Sequence, residues 1–355
     1  MSVWSSGRVE VSGGHLAYHR TGGEGPALVL SHGLTDNGLC WQRLADALAP
    51  NFDIIMLDAR GHGDSSRMPA GDHDPAQDID EAIEGLGLAR PIVMGHSVGA
   101  RATASYANAH PDRVAKVILE DPPFLPRIDA AAAERRAGKF RQQVEGFAAM
   151  SETDLIAMGR AQSPLWHEDD FPAWAAAKLQ VDPNAMPFYA APWQDSLSQI
   201  TAPTLLIHGD SAQGGLVTPE IADEAKALNP HIVTVLVGGA GHNTRRENFP
   251  TICQRFRRFS ACRPKAARSP AVRIARDVTS ANVIPVLFQV ETLAFVRQGR
   301  CGVWGRGHEG GRSQARRDRR RRRTDRGGVF QACAGLRGLS DEGPGPGPLR
   351  GRSGP

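Results

Sequence analysis

Residues 92–100, Ile-Val-Met-Gly-His-Ser-Val-Gly-Ala, set a serine between two glycines, directly after an apolar run and ahead of small residues. A strand entering a helix through so tight a turn exposes the serine at its tip, where the hydroxyl can act as a nucleophile. Gly95 and Gly99 suit that turn because a side chain at either position would clash within it. Ala100, Ala102 and Ala104 let the following helix approach the sheet. The N-terminus of that helix favours negative charge developing at Ser97.

A serine hydroxyl needs a base to become a competent nucleophile. Of the 12 histidines, His242 in Val-Gly-Gly-Ala-Gly-His-Asn follows the last apolar run on a glycine-rich loop, from which its ring can reach across a sheet edge. His32, His62 and His96 stand in other loops of the same edge and read as packing residues. Acyl transfer also needs donors for an oxyanion. The loop over residues 30–38, Leu-Ser-His-Gly-Leu-Thr-Asp-Asn-Gly, supplies the N–H of Leu34, and the position after the nucleophile supplies the N–H of Val98.

These residues must be positioned by a scaffold, and the apolar pattern describes one. Short continuous runs at 27–30, 53–57, 91–94, 116–119, 204–207 and 233–237 suit strands buried on both faces of a mostly parallel sheet. Helical signals lie between them, at 39–48 and 75–88, so the fold class expected is α/β with a doubly wound sheet. The alternation breaks over 122–200, which is rich in alanine and aromatics and has a helix start at Ser151-Glu-Thr-Asp154. This segment reads as a helical lid. It divides the core into residues 1–121 and 201–260, and its Trp166, Trp174 and Trp193 are candidate substrate-binding side chains. Phe249, Ile252, Phe256 and Phe259 mark one face of a last helix.

Charge divides the chain unevenly. Residues 1–260 carry 22 Lys and Arg against 31 Asp and Glu, whereas residues 261–355 carry 20 against 7. The tail over 261–355 is rich in Arg, Gly and Pro, and such a composition predicts disorder. Its basic run over 316–326 has no interleaved aromatics and no recognisable module, so no nucleic-acid partner is expected. The five cysteines form no C-x-x-C pair, which argues against a disulfide framework or zinc site. No secretory pattern opens the chain and no apolar run is long enough to span a membrane, so a cytoplasmic location without a membrane partner is expected.

Together the motifs resemble the α/β-hydrolase fold superfamily over about residues 10–260. Ser-His-Gly-Leu-Thr-Asp-Asn is similar to its oxyanion loop, residues 57–66 (LDARGHGDSS) to the loop after its next strand, GHSVG to its nucleophile elbow, and GAGHN to its histidine loop. The resemblance implies a serine hydrolase that cleaves a carboxylic ester or lactone through an acyl-enzyme, with no metal and no organic cofactor. Serine at the elbow sets aside epoxide hydrolase and haloalkane dehalogenase chemistry. C–C bond hydrolysis or cofactor-free peroxidation on the same residues is one alternative, and a catalytically silent ligand-binding fold is another. The substrate expected is a small ester or lactone with an apolar part, and the oligomeric state stays open.

One departure from the family concerns the acid. Most members place it in a G-x-x-D pattern, but here Gly209 is followed by Asp210-Ser211-Ala212, which leaves alanine at the usual position. A minority of members draw the acid from the end of the preceding strand, which here offers Glu120 and Asp121. These neighbours point to opposite sides, so one of them can face His242. The spacing from Ser97 resembles that of the minority and favours Asp121. Glu120 and Asp210 remain the alternative acids.

The tail generates the first prediction. Deleting the residues past 262 should leave the thermal midpoint and activity nearly unchanged. Scanning fluorimetry and turnover of the truncated and full-length chains check this, and a loss of several degrees would show that the tail packs on the core.

Overall fold

A computed structural model describes residues 4–71, 73–187, 189 and 191–261. The expected tail, and the expectation that it is disordered, lie outside the described residues. Eight strands form one sheet in the order β1-β2-β4-β3-β5-β6-β7-β8. They are β1 (Ser5–Val11), β2 (Gly14–Arg20), β3 (Ala27–Ser31), β4 (Asp53–Leu57), β5 (Ile92–His96), β6 (Lys116–Glu120), β7 (Thr204–Gly209) and β8 (Ile232–Val237). From β4 to β8 neighbouring strands run parallel, while β1 and β2 form an antiparallel hairpin joined antiparallel to β4.

The central strands are short, continuous apolar runs because helices cover both faces. Leu28, Leu30, Ile54, Met56, Met94 and Ile118 point to one face, where α1 (Gln42–Leu48) and α9 (Phe249–Ala261) pack Leu44, Leu48, Ile252 and Phe256 against them. Val29, Ile55, Leu57, Val93, Val117 and Leu119 point to the other, against α2 (Pro75–Gly85), α3 (Val98–Ala109) and α7 (Pro219–Leu228). Each fully buried Leu or Ile contributes about 1.5–3 kcal/mol of transfer free energy, so the core holds the strand ends rigidly in register.

Two elements differ from the sequence expectation. The β1–β2 hairpin had no continuous apolar run to announce it. It is an edge element, and on β1 only Val9 and Val11 are buried. The last strand is apolar apart from Thr234 but is the opposite edge, and Val233 and Leu236 are more than half exposed. The segment 39–48 also begins as a 3₁₀ turn at Gly38–Trp41 before α1.

Between β6 and β7 the chain forms α4 (Ala130–Ala148), α5 (Glu152–Gln162) and α6 (Phe171–Lys178), with no strand among the described residues. Asp129 caps α4 through the Ala132 N–H at 2.7 Å. Ser151 and Asp154 cap α5 reciprocally, satisfying two N–H groups that the helix leaves open.

The parallel strands end together at one sheet edge, where His32, His62 and His96 are among the buried histidines. His32 Nε2 accepts the Ala59 N–H at 2.9 Å while Nδ1 donates to the Gly33 carbonyl at 2.8 Å. His62 Nε2 accepts the Thr35 N–H at 3.4 Å while Nδ1 donates to the Arg60 carbonyl at 3.1 Å. Only the neutral ring can do both. Burial pushes the pKa of His62 down to about 3, lowers that of His32, and with Arg245 and His242 nearby holds His96 well below its ordinary value.

A pH dependence follows. Below the unfolded value of 6.5 the unfolded rings bind protons that the folded rings refuse. Stability is therefore full above about pH 6.5 and is lost as pH falls towards 3, at a slope on the order of 1 kcal/mol per pH unit for each histidine. Thermal midpoints measured from pH 8 to pH 4 should fall steadily below 6.5, and His62→Gln should flatten that slope.

Candidate active site

Ser97 occupies the turn between β5 and α3 with φ 54° and ψ −124°, a region costly for any residue but glycine. The strain is held by contacts on every side. A Cβ on Gly95 would sit 2.4 Å from the Gly99 carbonyl oxygen, and one on Gly99 would sit 2.3 Å from that of His32. Neither position tolerates a side chain, which is why the two glycines flank the serine. The Ser97 N–H donates to the Glu120 carbonyl at 2.9 Å and ties the turn to the end of β6.

His242 follows β8 on a loop bent at Gly239, whose φ is 75°. This loop lies against β7, since a Cβ on Gly209 would sit only 1.8 Å from the Gly241 carbonyl oxygen. His96 Nε2 donates to the His242 carbonyl at 3.1 Å, and the two rings lie 4.8 Å apart. Ser97 and His242 line one cavity of about 100 Å³.

The three candidate acids have different surroundings. Asp121 follows β6 with φ 42°, held by its N–H to the Ile207 carbonyl at 2.8 Å. Its Oδ2 meets His242 Nδ1 at 2.7 Å and also accepts the Leu216 N–H at 2.8 Å, while Oδ1 accepts the Val217 N–H at 3.1 Å. Its fully buried carboxylate is thus held from three sides. Glu120 turns to the other side. It accepts the Thr244 hydroxyl and the Arg245 N–H, both at 2.7 Å, and pairs with Arg245 Nη1 at 3.1 Å. Glu120 thereby anchors α8 (Thr244–Glu247), just after His242. Asp210 accepts the Ala212 N–H at 2.9 Å and caps its own 3₁₀ turn.

Leu34 and Val98 both line a second, larger cavity of about 750 Å³, and Leu34 lines the smaller one as well. Val98 is the first residue of α3, so its N–H has no acceptor within the helix. Gly33 brings the Leu34 loop close: a Cβ on it would lie 3.3 Å from the Ser97 Cβ.

Trp166 and Trp174 line the cavity of Ser97. Trp193 does not, and its expected place at the substrate is corrected here. It stacks on Phe124 at 4.6 Å in the core beside α3 and lines neither cavity. An indole this buried packs the sheet face instead of meeting a ligand.

The structure adds a buried charge cluster that the sequence reading did not contain. Asp36 pairs with Lys178 Nζ at 3.3 Å, Arg245 Nη2 at 3.2 Å and Arg246 Nη2 at 3.0 Å. Burial raises the Asp36 pKa, but the three cations outweigh it and hold the carboxyl well below the usual carboxylate range. One signal was available. Arg245-Arg246 is a double cation three residues after His242 in an otherwise acidic region. Among the described residues no group of three metal-ligating side chains converges, and no helix is long and apolar enough to cross a membrane.

Comparison with known proteins places the chain in a family. The family described as alpha/beta hydrolase fold matches residues 26–245. N-formylmaleamate deformylase of Pseudomonas putida is 30% identical over 250 residues, 67% of this chain and 90% of that protein. A pimeloyl-[acyl-carrier protein] methyl ester esterase of Vibrio atlanticus is 28% identical, covering 63% of this chain and 90% of its own. Among solved structures, E-2-(acetamidomethylene)succinate hydrolase superposes with a TM-score of 0.63 at 24% identity, covering 73% of this chain and 100% of its own, a likeness of fold. With the family pattern spanning more than half of its length and hydrolases among its relatives, the chain belongs to the α/β-hydrolase fold family and is a hydrolase.

Proposed function

We propose that the protein is a serine hydrolase that cleaves a carboxylic ester or lactone through an acyl-enzyme on Ser97, His242 and Asp121. The observation that carries this reading is the 2.7 Å contact between His242 Nδ1 and Asp121 Oδ2 in a ring that shares its cavity with Ser97. Ser97 Oγ attacks the carbonyl carbon while His242 Nε2 takes its proton. Asp121 keeps the proton on Nδ1 and stabilises the imidazolium that forms. The N–H groups of Leu34 and Val98 bind the oxyanion, rigid before the charge appears. Collapse of the tetrahedral intermediate breaks the C–O bond, and the departing alkoxide takes the proton from His242. Water, deprotonated by the same ring, then releases the acid and restores Ser97.

The esterase among the relatives supports an ester as substrate. The deformylase supports a second reading, an activated amide cleaved by the same steps with nitrogen as the leaving atom. Neither C–C cleavage nor a silent fold has a comparable observation behind it. Glu120 is read as a structural acid and Asp210 as a loop cap.

Three substitutions test the assignment. Ser97→Ala should abolish hydrolysis of short p-nitrophenyl esters and labelling by a fluorophosphonate. Asp121→Asn should lower kcat by about 10⁴, the scale seen when a triad acid becomes an amide. Asp210→Asn should retain nearly all activity. Wild-type turnover in Ser97→Ala, or an intact Asp121→Asn beside a crippled Asp210→Asn, would overturn it.

A further inference from the structure

The cavity of Ser97 and His242 holds more positive charge than the proposed hydrolysis uses. Lys178, Arg245 and Arg246 are each at most 3% exposed, and the carboxylates ion-paired with them are Asp36 and Glu120. Arg245 meets both carboxylates, which leaves Lys178 and Arg246 to share Asp36. Asp121 cannot make up the difference, because its oxygens are occupied by His242 and two backbone N–H groups. Glu247, the other acid of α8, accepts the Gly241 N–H, and burial raises its pKa.

The two cations that pair with Asp36 but not with Glu120, Lys178 and Arg246, are the two that line the cavity. Arg246 is underused there. Its Nε has no hydrogen-bond partner, its Nη2 lies near Asp36 without hydrogen-bond alignment, and its Nη1 reaches Asn243 Oδ1 only at 3.4 Å. Its guanidinium lies 4.4 Å over the Trp166 ring, and the Lys178 ammonium lies 4.5 Å over that of Trp174. The indoles hold both cations in place while supplying no counter-charge. Burial opposes the Arg246 charge, but Asp36 outweighs it and raises the pKa of the guanidinium, so the cation persists in the cavity wall with donors that an incoming anion can take up. A guanidinium with free N–H groups matches the two oxygens of a carboxylate.

We propose that Arg246 and Lys178 form a subsite for a carboxylate carried by the substrate, so that the enzyme acts on acidic esters or amides in preference to neutral ones. This rests on the serine-hydrolase reading and adds the substrate class. The carboxylate is held by Arg246 over Trp166, while Ser97 and His242 of the same cavity carry out the chemistry.

Two substrate pairs that differ by one charge test it: monomethyl succinate against methyl succinamate, and 4-acetoxybenzoate against 4-acetoxybenzamide. They place the acid on the acyl and leaving sides in turn. In at least one pair kcat/KM should favour the acid by about 10- to 100-fold, the scale of a hydrogen-bonded charge. Arg246→Met should collapse that ratio, Lys178→Met should reduce it, and Arg246→Lys should retain part of it. Asp36 keeps Lys178 and Arg245 as partners in Arg246→Met, so that variant should fold. Calorimetric titration of Ser97→Ala with succinate gives a readout free of turnover, with saturable binding expected and at least tenfold weakening when Arg246→Met is added. Equal turnover of acid and neutral members in both pairs, or a ratio unmoved by Arg246→Met, would overturn the subsite. If the wild-type enzyme hydrolyses none of the four and Ser97 takes no fluorophosphonate, the hydrolase reading fails instead. Succinate binding then decides the subsite alone, and its absence overturns it.

Discussion

The hydrogen bond between His242 Nδ1 and Asp121 Oδ2 joins residues 121 positions apart in the chain. It can form only if β6 ends where it does, the β8 loop folds back over β7, and both come to the same sheet edge as the Ser97 turn. Each condition is a packing condition. The loop reaches its place because Gly209 and Gly241 pass with no room for a side chain. Asp121 reaches its place because a left-handed backbone angle, braced by the Ile207 carbonyl, swings its carboxylate off the strand axis. The sheet is the rigid part, and Ser97, Asp121 and His242 are short departures from it.

Those departures are strained, and the neighbouring polar groups carry the strain. Thr35, Ser97 and Asp121 all have positive φ without being glycine, each costing on the order of 1–3 kcal/mol. The Ser97 N–H and the Asp121 N–H both donate to strand-end carbonyls, and Thr35 is held by His62 and by the Lys178 ammonium on its carbonyl at 2.9 Å. Neutral histidines at this edge thus act as struts for the loops. Their neutrality is a condition of the geometry, which links the site to pH through folding as well as through chemistry.

The buried cations give the site a second character. Replacing a buried ion network by apolar side chains is often neutral or stabilising, so stability alone is a weak reason for three cations to crowd Asp36. Glu120 and Arg245 anchor the helix after His242, a structural task. Lys178 comes from α6 and Arg246 from α8, so the inserted helices and the core each contribute one cation to the cavity wall. The aromatics of the insertion serve there as platforms for charge as well as apolar surface, a role that counting aromatics along the chain cannot reveal.

Much of the site was legible because its local parts need particular residue types. A turn with φ 54° at Ser97 requires glycines where backbones touch, and the histidine loop requires glycines to bend, so both leave a short written pattern. Buried parallel strands leave continuous apolar runs for the same reason. The β1–β2 hairpin left none, since an edge strand buries only alternate residues. For the acid, the neighbours Glu120 and Asp121 were equal in type, alternation implied that they diverge, and the spacing from Ser97 favoured Asp121. Which of them meets His242 depends on where β6 stops and on the carbonyl and N–H groups that other strands and loops bring to it. Trp193 was an aromatic in the inserted segment like Trp166 and Trp174, and only packing put it against Phe124 in the core. The cluster of Asp36, Lys178 and the two arginines is assembled from three distant stretches of chain. Sequence determined that a serine hydroxyl, an imidazole and a carboxylate lie at one sheet edge. Tertiary structure alone decided which indoles and which cations share it, because those choices are made by contacts between segments that carry no local signature.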